Sequence, residues 1–201
     1  MKNIILASKS IDRGKILRNA LIPFDFLLAY VDEEKYKTRI SDPVELVRVL
    51  AKVKSENAKL IAANEKKDAI IISADTMVEL NGTVLGKAKN EKEAFNTLKK
   101  LSGKSHNLLT GIAITETYNP KIIVDHDITL VKFGNLSNND INDYIKTGEW
   151  RGRAGSYSLN DKASLFIETI KGSPSNVTGL PLHKIFEILK REFGVNLLSN
   201  V

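Results

Sequence analysis

The chain has no cysteine, three histidines, one tryptophan and five prolines in 201 residues. The first absence rules out disulfides and thiolate chemistry, and so few histidines leave little from which to build a zinc site. No apolar run is long enough to cross a bilayer. The basic start Met1-Lys2 is followed only by the short stretch Ile4 to Ala7, which stops at Ser8 and is too short for the core of a secretion signal. A cytoplasmic, reducing compartment is the expectation. A block of like charge is also missing: the formal charge is +6, but 30 Lys and Arg are scattered among 24 acids. Scattered charge of this kind argues against nucleic-acid binding and for a solvated surface that attracts small anions, polyphosphates above all.

What is present is the length and apolar content, 42%, of one sizeable core or of two lobes. The centre of interest is Ser73-Ala74-Asp75-Thr76, which follows the apolar run Ala69-Ile70-Ile71-Ile72. Such a run reads as a strand buried on both faces, with Asp75 at its carboxyl end, where open α/β sheets bind ligands. There, a carboxylate serves either as base or metal ligand, or as a turn cap. Asn81-Gly82 between short apolar runs predicts a hairpin that returns Lys87 toward this strand.

Around this stretch the pattern alternates strand and helix. Ile4 to Ala7 is a strand, and Ser10 caps a helix over 11–21 whose inner face holds Ile16, Leu17, Ala20 and Leu21. A strand, polar turn and helix N-terminus make a phosphate-binding arrangement, and Arg13 in the first helical turn opposes the helix dipole, so a ligand or acidic partner explains it better than helix stability. A second strand is expected over 25–31, ending in the acidic run Asp32-Glu33-Glu34. Asp42-Pro43 opens a long helix to about Ala63 with Leu46, Val49, Leu50, Val53 and Leu60 on its core face. Lys52 and Lys54 point in different directions on it, so at most one reaches a site near Asp75. Further helices are expected over 91–101 and 138–147 and after Pro181, and strands over 107–117, 121–133 and 165–170. His106 and His126 have no ligand-spaced acid or histidine and read as structural. The segment from Gly148 to Tyr157 carries three glycines, two arginines and Trp150, too bulky for a purely flexible link.

These motifs jointly resemble the Maf family of nucleoside triphosphate pyrophosphatases, over essentially the whole chain. Leu6-Ala7-Ser8-Lys9-Ser10 with Arg13, the pair Asp32-Glu33, Leu50-Ala51 with Lys54, Ala74-Asp75-Thr76 and Leu85-Gly86-Lys87 follow the family order. So do Leu101-Ser102-Gly103 with His106, Thr110-Gly111, Gly148-Glu149-Trp150, Ala154-Gly155-Ser156-Tyr157 and Val177-Thr178-Gly179-Leu180-Pro181. Each motif is weak by itself, and their joint order and spacing are what carry the resemblance.

The resemblance implies one domain over 1–201 with an α/β fold: a long twisted mixed β-sheet flanked by helices, two lobes and a central cleft, similar to inosine triphosphate pyrophosphatases. It implies hydrolysis between the α and β phosphates with a divalent cation, Mg²⁺ or Mn²⁺, a house-cleaning activity that keeps unwanted nucleotides out of nucleic acids. Asp75 would be the proton acceptor, Glu33 and Asp75 the metal ligands, and Lys54 and Lys87 catalytic cations. Ser8, Arg13, Thr76, Arg153 and Asn160 would bind substrate. The partner is a small nucleoside triphosphate, with neither nucleic acid nor membrane, and a homodimer is suggested. The start Glu149-Trp150-Arg151-Gly152 and Tyr157 favour the branch acting on dTTP and UTP. The alternatives are 7-methyl-GTP or broad specificity, or a catalytically weak nucleotide-binding regulator of cell division. Asp12 replaces the first arginine of the family's Pro-Arg-Arg, and Asn160 replaces a glutamine, both where base contacts are expected.

Overall fold

In a computed structural model, residues 2–199 are described. The elements in order are β1 (Asn3–Ala7), α1 (Ile11–Asn19), β2 (Asp25–Phe26), α2 (Glu34–Lys37), α3 (Pro43–Asn64), β3 (Ala69–Leu80), β4 (Thr83–Leu85) and α4 (Glu91–Leu101). They continue with β5 (Ser105–Glu116), β6 (Ile122–Phe133), α5 (Asn138–Lys146), a 3-10 turn (Lys162–Phe166), β7 (Ile167–Lys171), α6 (Pro174–Val177) and α7 (Leu182–Phe193). The seven strands form one mixed sheet in the order β2-β1-β3-β5-β6-β7, with β4 on β3. β1 runs parallel to β2 and β3, while β3–β4 and β6–β7 are antiparallel. The expected mixed α/β sheet is therefore present.

The chain divides into two compact units: residues 1–75, 110–127 and 179–201 in the first, and 76–109 and 128–178 in the second. In the first unit, Ile4, Leu6, Ile70, Ile72, Ile112 and Ile114 pack with Leu17, Ile185 and Leu189 in one cluster, and Ile5, Ala7 and Ile71 pack with Ala58 and Ala62 of α3 in another. Alternate residues of the same strands thus serve the two faces, as a strand covered by helices on both sides requires. The second unit is built on one cluster that includes Val78, Leu98, Leu101, Phe133, Tyr144, Trp150 and Tyr157. Here Trp150 is buried and its indole N–H donates to the Ile145 carbonyl, so the glycine-rich segment is anchored rather than flexible.

Local signals place most ends correctly. Ser10 accepts from the Arg13 N–H, Asp42 from the Val44 N–H, and Ser137 and Asp140 form a reciprocal capping box. Asn81 and Gly82 both have positive φ, as a two-residue hairpin requires.

Four expectations are corrected. Strand β3 runs on to Leu80, so Asp75 is within a strand and not at its end: the parallel pairing with β1 stops at Ser73, and the strand then continues as the antiparallel partner of β4. Strand β2 covers only Asp25 and Phe26, and residues 27–30 belong to no regular element. Leu21 and Leu60 are exposed rather than core. Leu21 adopts positive φ just beyond the end of α1; α3 buries Leu46, Val47, Leu50 and Ala51 in its first half, as expected for Leu46 and Leu50, and only the small residues Ser55, Ala58 and Ala62 further along. Alternation in the sequence groups Ile122, Val124, Ile128 and Leu130 on one face of β6, but its buried residues are Thr129, Val131 and Phe133.

Candidate active site

The first unit brings five of the sequence-predicted residues into place. Asp75 is buried in β3, just beyond the point where the parallel pairing ends. Lys54 projects from α3 and its Nζ lies 2.5 Å from Asp75 Oδ1 and 2.7 Å from Glu33 Oε1. A single ammonium therefore bridges two carboxylates from separate segments. Lys52, two positions earlier, turns away to Glu56 at 3.9 Å. The side chains of Lys54 and Asp75 are 15% and 10% exposed, whereas that of Glu33 is 36% exposed. The Asp75 limb is accordingly the stronger of the two, because water screens the other.

Helix α3 can present Lys54 at this depth because nothing bulky separates it from the sheet. A Cβ at Gly111 of β5 would come within 2.1 Å of the Val47 carbonyl oxygen of α3. Ser73, in the middle of the apolar strand, donates its hydroxyl proton toward the carbonyls of Ala51 in α3 at 2.7 Å and Ala113 in β5 at 3.2 Å. Sequence reasoning missed both roles, although a serine amid isoleucines was a visible signal.

Ser8 and Arg13 form the second part. Arg13 donates from Nε to the Gly179 carbonyl at 2.7 Å, and from NH1 to the Ala74 carbonyl at 2.8 Å and Ser8 Oγ at 3.0 Å. Its guanidinium thus ties the turn after β1, the residue before Asp75 and the segment before α7 into one frame. Desolvation lowers the Arg13 pKa, while Asp75 and Glu33 act to raise it. An arginine starts so far above neutrality that it stays charged. The acidic partner expected for Arg13 is thus the same carboxylate pair. Asp12 lies 3.8 Å from Lys15.

Thr76, Lys87, Arg153 and Asn160 belong to the second unit. Val78 of β3 pairs with Leu85 of β4, so the hairpin carries Lys87 back in the direction of Thr76, and the Lys87 backbone forms an antiparallel bridge with Ala154. Arg153 pairs with Asp161 at 2.7 Å and donates to the Glu149 carbonyl at 2.8 Å, which braces its loop. Asn160 is exposed and its amide lies 3.4 Å from Thr178 Oγ1. His106 is buried on Tyr157, as a structural histidine should be, and His126 lies 3.8 Å from Asp125.

Two carboxylates that both touch one nitrogen are within reach of one small cation. Among the described residues no cluster of three His, Cys, Asp or Glu could hold a metal. The donor set therefore suits a hard ion such as Mg²⁺, which takes one or two carboxylates and completes its shell from water and phosphate oxygens, and not zinc.

A protein-family model described as "Maf-like protein" matches residues 3–192. The chain belongs to the Maf-like family. A dTTP/UTP pyrophosphatase of Alkaliphilus oremlandii is 42% identical over 198 residues, covering 98% of this chain and all of that protein. One from Clostridioides difficile is 39% identical, covering 99% and 100%. A solved nucleoside-triphosphatase, described as a dITP/XTP pyrophosphatase, from Mycobacterium abscessus is similar at 10% identity over 66% of this chain and 73% of its own, with a TM-score of 0.36, too loose a likeness to bear on function. No helix among the described residues is long and apolar enough to cross a membrane.

Proposed function

We propose that this protein hydrolyses nucleoside triphosphates to the monophosphate and pyrophosphate, with dTTP and UTP as substrates. The observation that carries the reading is the buried Lys54–Asp75 pair with Glu33 on the same ammonium, in a family member whose full-length relatives are named for this reaction.

Asp75 is the base that orients the attacking water and takes its proton, since it is the most enclosed carboxylate of the set and keeps a cation at its other oxygen. Ser8 and Arg13 hold the phosphate chain, with the guanidinium fixed in advance by its carbonyl partners, so little reorganisation accompanies binding. Lys54, while it stays on Asp75, has N–H bonds left for the charge that develops on the phosphates, and Lys87 is proposed as a further phosphate-binding cation. Glu33 and Asp75 are the residues that would hold Mg²⁺ or Mn²⁺. When bound, the ion would polarise a phosphoryl oxygen and neutralise the leaving pyrophosphate. Thr76 adjoins the base in sequence, and Arg153 and Asn160 are the proposed contributors to base recognition.

The test is pyrophosphate release across a panel of standard and modified nucleoside triphosphates, with Mg²⁺, with Mn²⁺ and with chelator. Preferential cleavage of dTTP and UTP that chelator abolishes is expected. Preference for 7-methyl-GTP would move the specificity, and no release from any member would overturn the reading. Asp75→Asn should lose activity by about 10²-fold or more while remaining folded.

A further inference from the structure

The second unit contains a buried polar contact that nothing in the proposed chemistry uses. The Tyr157 hydroxyl and His106 Nε2 lie 2.9 Å apart, with the two residues 4% and 2% exposed. Phe133 stands edge-on to both rings, at 4.9 Å from His106 and 4.8 Å from Tyr157. The other imidazole nitrogen, Nδ1, is buried without a hydrogen-bond partner. A buried donor or acceptor left unmet is costly, and an apolar pair would avoid that cost. Packing alone therefore does not account for a histidine here.

The contact fixes one end of a short, tightly determined segment. Tyr157 follows Gly155 and Ser156, which both have positive φ, at 66° and 63°. A Cβ at Gly155 would come within 2.7 Å of Val78 Cγ2 and 3.2 Å of the Tyr157 ring, so the backbone lies directly on β3. Serine in this conformation is strained, and strain of this kind persists only where the surroundings over-determine it. The next residue back, Ala154, bridges to the backbone of exposed Lys87. From His106 through Tyr157, Gly155 and Ala154, a continuous chain of contacts ends at a lysine.

We propose that Tyr157, anchored on His106, is a positioning residue for Lys87: the buried hydrogen bond holds the strained segment against β3, and that segment sets where the lysine backbone lies. This rests on the nucleotide reading of Lys87 given above. One neutral hydrogen bond is at stake, so the expected effect is modest and specific.

Tyr157→Phe keeps the ring and removes the hydroxyl. It should raise KM for dTTP or UTP about fivefold, with kcat within about twofold of wild type. The double variant Tyr157→Phe/Lys87→Ala should be no worse than Lys87→Ala alone, because both act through one lysine. Additive losses would overturn the proposal. His106→Gln, which keeps a polar partner for the phenol, should leave KM near wild type, while His106→Ala should raise it, and equal values would count against it. Hydrogen exchange of the Lys87 and Ala154 amides gives an arm independent of catalysis. Exchange in Tyr157→Phe should speed up at these two amides and not in α4. If the wild type releases pyrophosphate from no triphosphate, the function fails, yet the exchange arm still decides the anchoring. Unchanged exchange would refute it.

Discussion

Replacing Lys54 with methionine keeps most of the aliphatic stem and deletes the charge that two carboxylates share. Asp75, 10% exposed at its side chain, loses a partner at 2.5 Å, and Glu33, 36% exposed, loses one at 2.7 Å. Breaking a buried pair from one side costs about 3–5 kcal/mol, whereas an exposed limb is worth at most about 1 kcal/mol. The pair is not fully enclosed, so the low end, about 3 kcal/mol, is the expected loss. For a chain of this size that lowers the melting temperature by about 6–12 °C. Asp75→Asn alone should cost less, about 1 kcal/mol, because Lys54 keeps Glu33. The double variant should recover part of the loss, since position 75 then carries no charge to compensate, although Arg13 gives up one of its two carboxylates. Thermal unfolding by circular dichroism at low salt, with and without Mg²⁺, reads all three proteins. Mg²⁺ should stabilise Lys54→Met more than wild type, as the ion can take over the neutralising role. If Lys54→Met and the double variant lose equally, the lysine contributes through its stem and the charge argument is wrong.

Burial pushes the His106 pKa down to about 4, against an opposing pull from Glu79. The folded state then holds fewer protons than the unfolded one between pH 4 and 6.5, so this contribution is complete above 6.5 and is lost as pH falls toward 4. It amounts to about 3 kcal/mol, and His106→Gln should flatten that part of a melting-temperature profile taken from pH 7 to 4.5. Gly111→Ala should cost about 3 kcal/mol or more, because the Val47 carbonyl leaves no room for a methyl group; soluble yield and urea midpoint test it. Ser73→Ala should cost about 1–2 kcal/mol in urea unfolding by removing the hydroxyl that α3 and β5 share. Arg13→Lys should raise KM and lower stability together, because an ammonium cannot reach the Gly179, Ala74 and Ser8 oxygens at once.

Signals that act within a few residues were readable from the chain: Ser10, Asp42-Pro43, Ser137 with Asp140, and Asn81-Gly82 each do locally what their chemistry predicts. Long-range partnership was not. The Asn81-Gly82 hairpin predicts a strand up to Leu80, but nothing near Asp75 announces that this strand is continuous with the apolar run before it. Periodicity gives α3 a face of large side chains, which holds for Leu46 and Leu50, but past Ala51 the helix buries only small residues and Leu60 is exposed. At the candidate site, helical spacing shows only that at most one of Lys52 and Lys54 reaches Asp75, and it is the family resemblance that picks Lys54. The frame that holds Arg13 consists of backbone carbonyls, which no side-chain motif encodes. His106 was read as structural, correctly as to burial, but its partner lies 51 residues away.

The two units have a consequence for how the protein is made. The first unites segments far apart in sequence: β1 residues Ile4 and Leu6 share a core cluster with Ile185 and Leu189 of α7. On the ribosome, α7 emerges after the whole of the second unit, so the cluster around β1 waits with apolar faces unmet until then. The second unit, which ends at Thr178, is complete before that. Nascent chains halted just short of α7 should therefore protect the second unit from protease while leaving the N-terminal segment open, the reverse of the usual order in which the first-made part folds first.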